Sequence, residues 1–92
     1  ITDDGLKPLR RLPALKLLYL SHTNITDVGL LYLKDNVTCQ GLELSHTHIT
    51  NAGLKHLYTL KGLVGVNLTG TRVTSTGVSG LRQALPKCRI AL

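Results

Sequence analysis

Leu15-Lys16-Leu17-Leu18-Tyr19-Leu20-Ser21-His22-Thr23-Asn24-Ile25-Thr26 is followed 24 residues later by Cys39-Gln40-Gly41-Leu42-Glu43-Leu44-Ser45-His46-Thr47-His48-Ile49-Thr50. The same pattern comes a third time as Leu63-Val64-Gly65-Val66-Asn67-Leu68-Thr69-Gly70-Thr71-Arg72-Val73-Thr74. Self-similarity at a fixed period of about 20–50 residues marks stacked structural repeats and outranks local propensity as a guide to architecture. One such unit cannot bury its apolar side alone, so neighbouring units must stack into a continuous core. The period decides the fold class before any single residue does.

Outward from that stretch, the chain divides into Ile1–Asn24, Ile25–His48, Ile49–Arg72 and a shorter unit, Val73–Leu92. Each unit opens alike: Ile1-Thr2-Asp3-Asp4-Gly5-Leu6, Ile25-Thr26-Asp27-Val28-Gly29-Leu30, Ile49-Thr50-Asn51-Ala52-Gly53-Leu54 and Val73-Thr74-Ser75-Thr76-Gly77-Val78. The third position holds Asp, Asp, Asn and Ser, side chains that accept hydrogen bonds from the orphan N–H groups at a helix start. Apolar residues then follow at helical spacing, Leu6 to Leu9, Leu30 to Leu33, Leu54 to Leu57 and Val78 to Leu81, which predicts a short helix in every unit. Gly5, Gly29, Gly53 and Gly77 fall in the first turn, where glycine is a poor helix former. Their recurrence implies that a side chain there would collide with the neighbouring coil.

Past the helix the apolar period changes to two: Leu18 and Leu20, Leu42 and Leu44, Val66 and Leu68, Ile90 and Leu92. That alternation predicts a short strand with one buried face. Strands separated by a helical return pair in parallel, and such crossovers are right-handed almost always. The expected product is an α/β, right-handed, curved solenoid with a parallel inner sheet and short helices on the convex side.

The pattern Leu-x-x-Leu-x-Leu-x-x-Thr-x-Ile-Thr-Asp-x-Gly-Leu resembles a leucine-rich repeat along the whole chain. The helical return and the 24-residue period look closest to the ribonuclease-inhibitor-like and cysteine-containing classes, the latter found in F-box substrate receptors and many bacterial repeat proteins. The resemblance implies adaptor or substrate-receptor work. Where the common pattern closes the strand with Asn or Cys, this chain has Thr23, Thr47 and Thr71, each able to offer a hydroxyl to the loop backbone. Two places break the repeat. Asn36 stands where other units have Leu12 and Leu60, and Val37 beside it is expected to take over the core slot. Pro86 is expected to end the last helix before the final strand.

Composition bounds the function. The 92 residues are 42% apolar but contain no Phe, Trp or Met, which suits layers of stacked Leu, Ile and Val. No apolar run approaches the roughly 20 residues that span a bilayer. The chain opens at Ile1, already inside a repeat, and is expected to be a piece of a longer protein. A net charge of +6 biases the surface toward acidic partners without specifying nucleic acid. Cys39 takes the place of Leu15 and Leu63, and Cys88 lies two repeats on, beyond disulfide reach across strands about 4.8 Å apart. Free thiols favour a reducing, intracellular compartment, cytoplasmic or nuclear.

The candidate partner-binding residues are Leu17 and Tyr19, Gly41 and Glu43, Gly65 and Asn67, and Arg89, with Ser21, Ser45, Thr69 and Ala91 on the same outward rows. Curved solenoids present this inner face for binding. Tyr19 is the natural anchor, since tyrosine combines area, rigidity and a polar tip. Gly41 and Gly65 leave a shallow trough beside the polar row of Glu43 and Asn67.

Other constellations compete. His22 and His46 should stand one strand spacing apart, with His48 nearby, but no carboxylate or cysteine is placed to complete a metal site, and none is expected. Arg10, Lys34 and Arg82 share a helix position, interrupted by Tyr58, with Lys7, Arg11, Lys55 and Lys61 near. This stripe is the basis of an alternative function, binding nucleic acid or acidic lipid, although a nucleic-acid surface would interleave more aromatics. A further alternative is a non-catalytic targeting segment of a larger enzyme. Three sequons, at Asn24, Asn36 and Asn67, read as coincidences of the repeat. The Ser21-His22 and Ser45-His46 pairs would point to opposite faces of a strand, and no acid orients either imidazole, so neither an enzyme nor a cofactor is expected.

Overall fold

The computed structural model describes residues 2–11 and 15–92, without the Arg11 side chain. The expectations that Leu12 fills a core slot and that Arg11 flanks the basic stripe fall outside those residues. Four strands, β1 (Leu17–Tyr19), β2 (Gly41–Glu43), β3 (Gly65–Asn67) and β4 (Arg89–Ala91), form one parallel sheet in chain order. The register advances 24 residues per strand: Leu17 sits beside Gly41, Gly41 beside Gly65 and Gly65 beside Arg89. Main-chain hydrogen bonds continue the ladder past the strand ends, as from Leu20 N–H to the Glu43 carbonyl (2.8 Å) and from His46 N–H to the Thr69 carbonyl (2.8 Å). The expected repeat architecture is therefore present as four stacked coils.

The return segments differ in type. Coils one and three return through 3-10 segments, Asp3–Arg11 and Asn51–Leu57, and coils two and four through α1 (Asp27–Leu31) and α2 (Ser75–Ala84). Only α2 runs to ten residues, and it stops before Leu85-Pro86, as the proline requires. A segment of one or two turns gains too few hydrogen bonds to impose α geometry by propensity; packing against the next coil fixes it. Between sheet and returns runs an aliphatic core of stacked rows. Ile25, Ile49 and Val73 make one, Leu30, Leu54 and Val78 another, and Leu20, Leu44 and Leu68 a third, all buried. Cys39 is buried in the slot shared with Leu63, and both cysteines are free. Burial pushes both thiols above the usual cysteine range.

Three local expectations are corrected. The helix caps are the threonines at position two, Thr26, Thr50 and Thr74, all in extended conformation. The acidic residue after each threonine does not cap its own helix; it reaches into the next coil. Asp3 accepts from Thr26 N–H (2.8 Å) and from the Thr26 hydroxyl (2.6 Å), and Asp27 accepts from Thr50 N–H (2.8 Å) and hydroxyl (2.5 Å). Asn51 completes the series with a reversed polarity. Its carbonyl accepts from Thr74 N–H (2.9 Å), and its amide donates to the Thr74 hydroxyl (2.8 Å). The glycine at position five makes the room. A Cβ on Gly29 would stand 2.6 Å from the Asp3 carboxylate, and one on Gly53 or Gly77 would collide with Asp27 or Asn51, while Gly5 faces nothing within 4 Å.

Second, Val37 does not take the core slot of coil two. Asn36 keeps it, 2% exposed, while Val37 is 58% exposed. Neither polar atom of the Asn36 amide has a partner among the described residues. The repeat register holds the backbone here, from Asn36 N–H on the Leu33 carbonyl to Cys39 N–H on the Asn36 carbonyl, so the buried slot takes whichever residue is in phase. Third, Leu92 lies just beyond β4 and is exposed, outside the buried alternation.

Candidate functional site

Short strands present two outward rows, and their ordering is set by the register alone. One row is Leu17, Gly41, Gly65 and Arg89; the next is Tyr19, Glu43, Asn67 and Ala91. All seven candidate residues named from the sequence line a single trough of about 400 Å³, with Leu42, Val66, Ile90 and Ala91 completing its floor and far wall. Leu17 (55% exposed) and Tyr19 (74% exposed) form the β1 wall, and Arg89 rises from β4. The floor is bare main chain where Gly41 and Gly65 sit side by side. The Leu17 side chain leans over Gly41, whose added Cβ would come within 2.9 Å of it, whereas a Cβ on Gly65 would meet only the Arg89 carbonyl, at 3.7 Å.

The polar centre of the trough is Glu43. The Ser21 hydroxyl lies 3.1 Å and the Ser45 hydroxyl 2.9 Å from Glu43 Oε1, and the two hydroxyls are 3.0 Å apart. Each hydroxyl has one proton, so Ser45 donates either to the carboxylate or to Ser21, which passes its own proton on. Hydrogen bonds from Ser45, with further ones from Asn67 and Ser21, outweigh partial desolvation and hold the carboxyl below the usual glutamate range. Asn67 is itself braced, its carbonyl oxygen accepting from Thr69 N–H (3.0 Å). Sequence reading placed Ser21 and Ser45 on the outward rows but missed that both converge on Glu43. The available signal was their shared repeat position, two residues past Glu43 in the case of Ser45.

Beyond the strands the chain turns at Ser21-His22 and Ser45-His46, so the strand geometry expected for these pairs does not apply. His22 (φ 60°) and His46 (φ 57°) adopt the left-handed conformation, unusual for any residue but glycine, and Gly70 (φ 74°) holds the matching place in coil three. The two imidazoles stack with centroids 4.5 Å apart and planes 12° from parallel, and His46 lies over Gly70, where a side chain would strike its ring. The threonine that follows ties the turn down: Thr23, Thr47 and Thr71 each donate a 2.7 Å hydrogen bond to the carbonyl of Leu20, Leu44 and Leu68. Among the described residues no three His, Cys, Asp or Glu side chains gather closely enough to hold a metal ion. The serine hydroxyls serve Glu43 and the histidines serve each other.

On the helix side, Arg10, Lys34 and Arg82 are exposed at equivalent positions, with the half-buried Tyr58 between them packed over Gly80. Lys7 pairs with Asp4 (3.5 Å) and lies 5.8 Å from the Tyr32 ring centroid, and Lys61 donates to the Ala84 carbonyl (3.0 Å). A wider hollow of about 850 Å³, lined by Lys7, Pro8, Arg10, Tyr32 and Asp35, opens here. Its charges are mixed, Lys7 and Arg10 against Asp35. Of the sequon asparagines, Asn24 is exposed, Asn36 is enclosed by the fold and Asn67 stands in the trough. No helix among the described residues is long and apolar enough to cross a membrane.

A search of curated proteins finds no match to this chain. The family described as Leucine Rich repeat matches residues 12–34 and 40–57. These segments hold the quoted repeat stretch with the α1 return, and then β2 with the return that follows it. With the parallel ladder and its 24-residue register, the matches make this chain a leucine-rich repeat protein.

Proposed function

We propose that the chain is a non-catalytic protein–protein recognition module, of adaptor or substrate-receptor type, that takes its partner on the open face of the sheet. The observation that carries this reading is the convergence of Leu17, Tyr19, Gly41, Glu43, Gly65, Asn67 and Arg89 on one trough. Exposed apolar and aromatic walls, a main-chain floor and a few fixed polar groups are the parts of a protein-recognition surface. The repeat face varies from coil to coil along this row, and variation is what a binding surface needs to tell partners apart. The membership in a family rich in interaction modules supports the reading, and the two free buried thiols support an intracellular setting.

Affinity capture from lysate with three forms of the chain tests it. One is the native sequence, one carries Tyr19→Ala with Glu43→Lys, and one reverses charge at Arg10, Lys34 and Arg82. Protein partners lost only with the trough variant support recognition through the sheet. RNA or acidic lipid lost only with the charge reversal, in a manner that weakens steeply with salt, would replace the proposal by the basic helix face.

A further inference from the structure

Glu43 is the one glutamate of the chain, and the other four carboxylates are Asp3, Asp4, Asp27 and Asp35. Asp3 and Asp27 are committed to threonines of the next coil, Asp4 to Lys7, and Asp35 lies on the helix side. Glu43 is therefore the single anion of the sheet face. It is held by hydroxyls and an amide, neutral donors that orient a carboxylate without cancelling its charge. No cation lies within ion-pair distance of it among the described residues. The adjoining position on β1, one strand spacing or about 4.8 Å away, is the exposed ring of Tyr19. A carboxylate fixed in advance beside an aromatic face is a seat for a cation, because both charge and ring quadrupole attract it and neither must be reordered on binding.

The surroundings narrow the choice further. The glycine floor at Gly41 and Gly65 carries no side chain of its own, so an extended main chain can approach the sheet there. Arg89 stands two strands from Glu43 at the opposite wall and repels a second cation there. The chain as a whole carries +6, which disfavours a polybasic ligand.

Resting on the protein-recognition reading above, we infer that the partner lays an extended segment across the trough and places one lysine or arginine side chain on Glu43 beside Tyr19, with an uncharged or acidic residue toward Arg89. The ligand class is a singly basic peptide segment. Electrostatic complementarity of this kind fixes register and excludes wrong partners as much as it adds affinity.

The test uses the full chain on an array of nonapeptides with degenerate flanks and a central residue fixed as Lys, Arg, Gln, Leu, Asp or Glu. The native chain should bind the Lys and Arg sets roughly tenfold above the Asp and Glu sets. Glu43→Gln, which keeps an oxygen to accept from Ser21 and Ser45, should erase the difference, and Glu43→Lys should reverse it. Arg82→Glu on the helix side should leave the ranking unchanged. Preference of the native chain for acidic sets, or a basic preference that survives Glu43→Gln, overturns the inference. Binding without charge preference that is lost with Tyr19→Ala overturns the cation seat while keeping sheet-face recognition. Binding to no set, or binding abolished only by Arg82→Glu, overturns both.

Discussion

The threonine clamp on the helix side and the trough on the sheet side are built from the same 24-residue period, yet they use it in opposite ways. At the clamp the residues barely change from coil to coil: Asp3, Asp27 and Asn51 each grip the threonine of the next coil over a glycine. At the trough, four coils put four different residues in one row, Tyr19, Glu43, Asn67 and Ala91, and three kinds in the other, Leu17, Gly41, Gly65 and Arg89. Positions that join coils must satisfy the same geometry at every step. Positions that face outward carry no such constraint, and are free to differ. Repetition thus reports structure, and its local failure reports either function or a defect.

The sharpest way to break this contrast is at a clamp glycine. Gly53→Ala drives a methyl group into the Asp27 carboxylate, 2.7 Å from its Cγ, and should cost about 3 kcal/mol in urea unfolding despite the better helix propensity of alanine. Asp27→Ala removes both bonds to Thr50 without the collision and should cost about 2 kcal/mol. In that background Gly53→Ala should lose the part of its effect due to the carboxylate and keep the part due to the Cβ at position 27, which stays 2.9 Å away, a non-additivity that assigns the cost to the contact. Asn36→Leu restores the in-phase residue and removes two unpartnered buried polar atoms, so it should raise stability by about 1–3 kcal/mol. Tyr19→Ala should leave stability within about 0.5 kcal/mol, read by thermal melting, while weakening partner binding, because the ring is 74% exposed. The smallest effect is in the acid limb. Glu43 is held below its ordinary range in the fold, so the unfolded chain binds its proton at higher pH. Its contribution is present above the unfolded value and fades as pH falls through the folded one. Glu43→Gln should flatten the stability–pH curve across that acid window and leave its neutral part parallel.

Much of this contrast is legible without coordinates. The Leu18, Leu42, Val66 and Ile90 row names the strands, and the row from Gly29 to Gly77 announces a close approach between coils, because a fixed period aligns equivalent residues before they are seen in contact. What the chain hides is any partner choice between near and far. An aspartate after Thr26 could cap its own helix, and local rules favour that; the stacked fold offers Thr50 instead, 23 residues on, and the glycine gap lets the side chain reach it. Asn36 and Val37 mislead for a related reason: hydropathy favours the valine inside, but the backbone phase is set by Leu33 and Cys39. The left-handed turns at His22 and His46 carry a hint only in the glycine of coil three, Gly70. The seven trough residues were nameable from alternation; the serine support under Glu43 was not, since hydroxyl direction depends on the turn that follows the strand.

The clamp has a kinetic corollary. Each bond from Asp3, Asp27 or Asn51 spans 23 residues, and each strand pairing spans 24. Every coil is therefore added by closing a loop of one size, and the entropic penalty does not grow along the chain. Folding in such a system spreads outward from whichever coil orders first, as in a one-dimensional chain of coupled units. A broken clamp at Asp27 would then slow the spread from coil two to coil three, while the whole stack, whose halves hold too few coils to stand alone, would still melt in one transition.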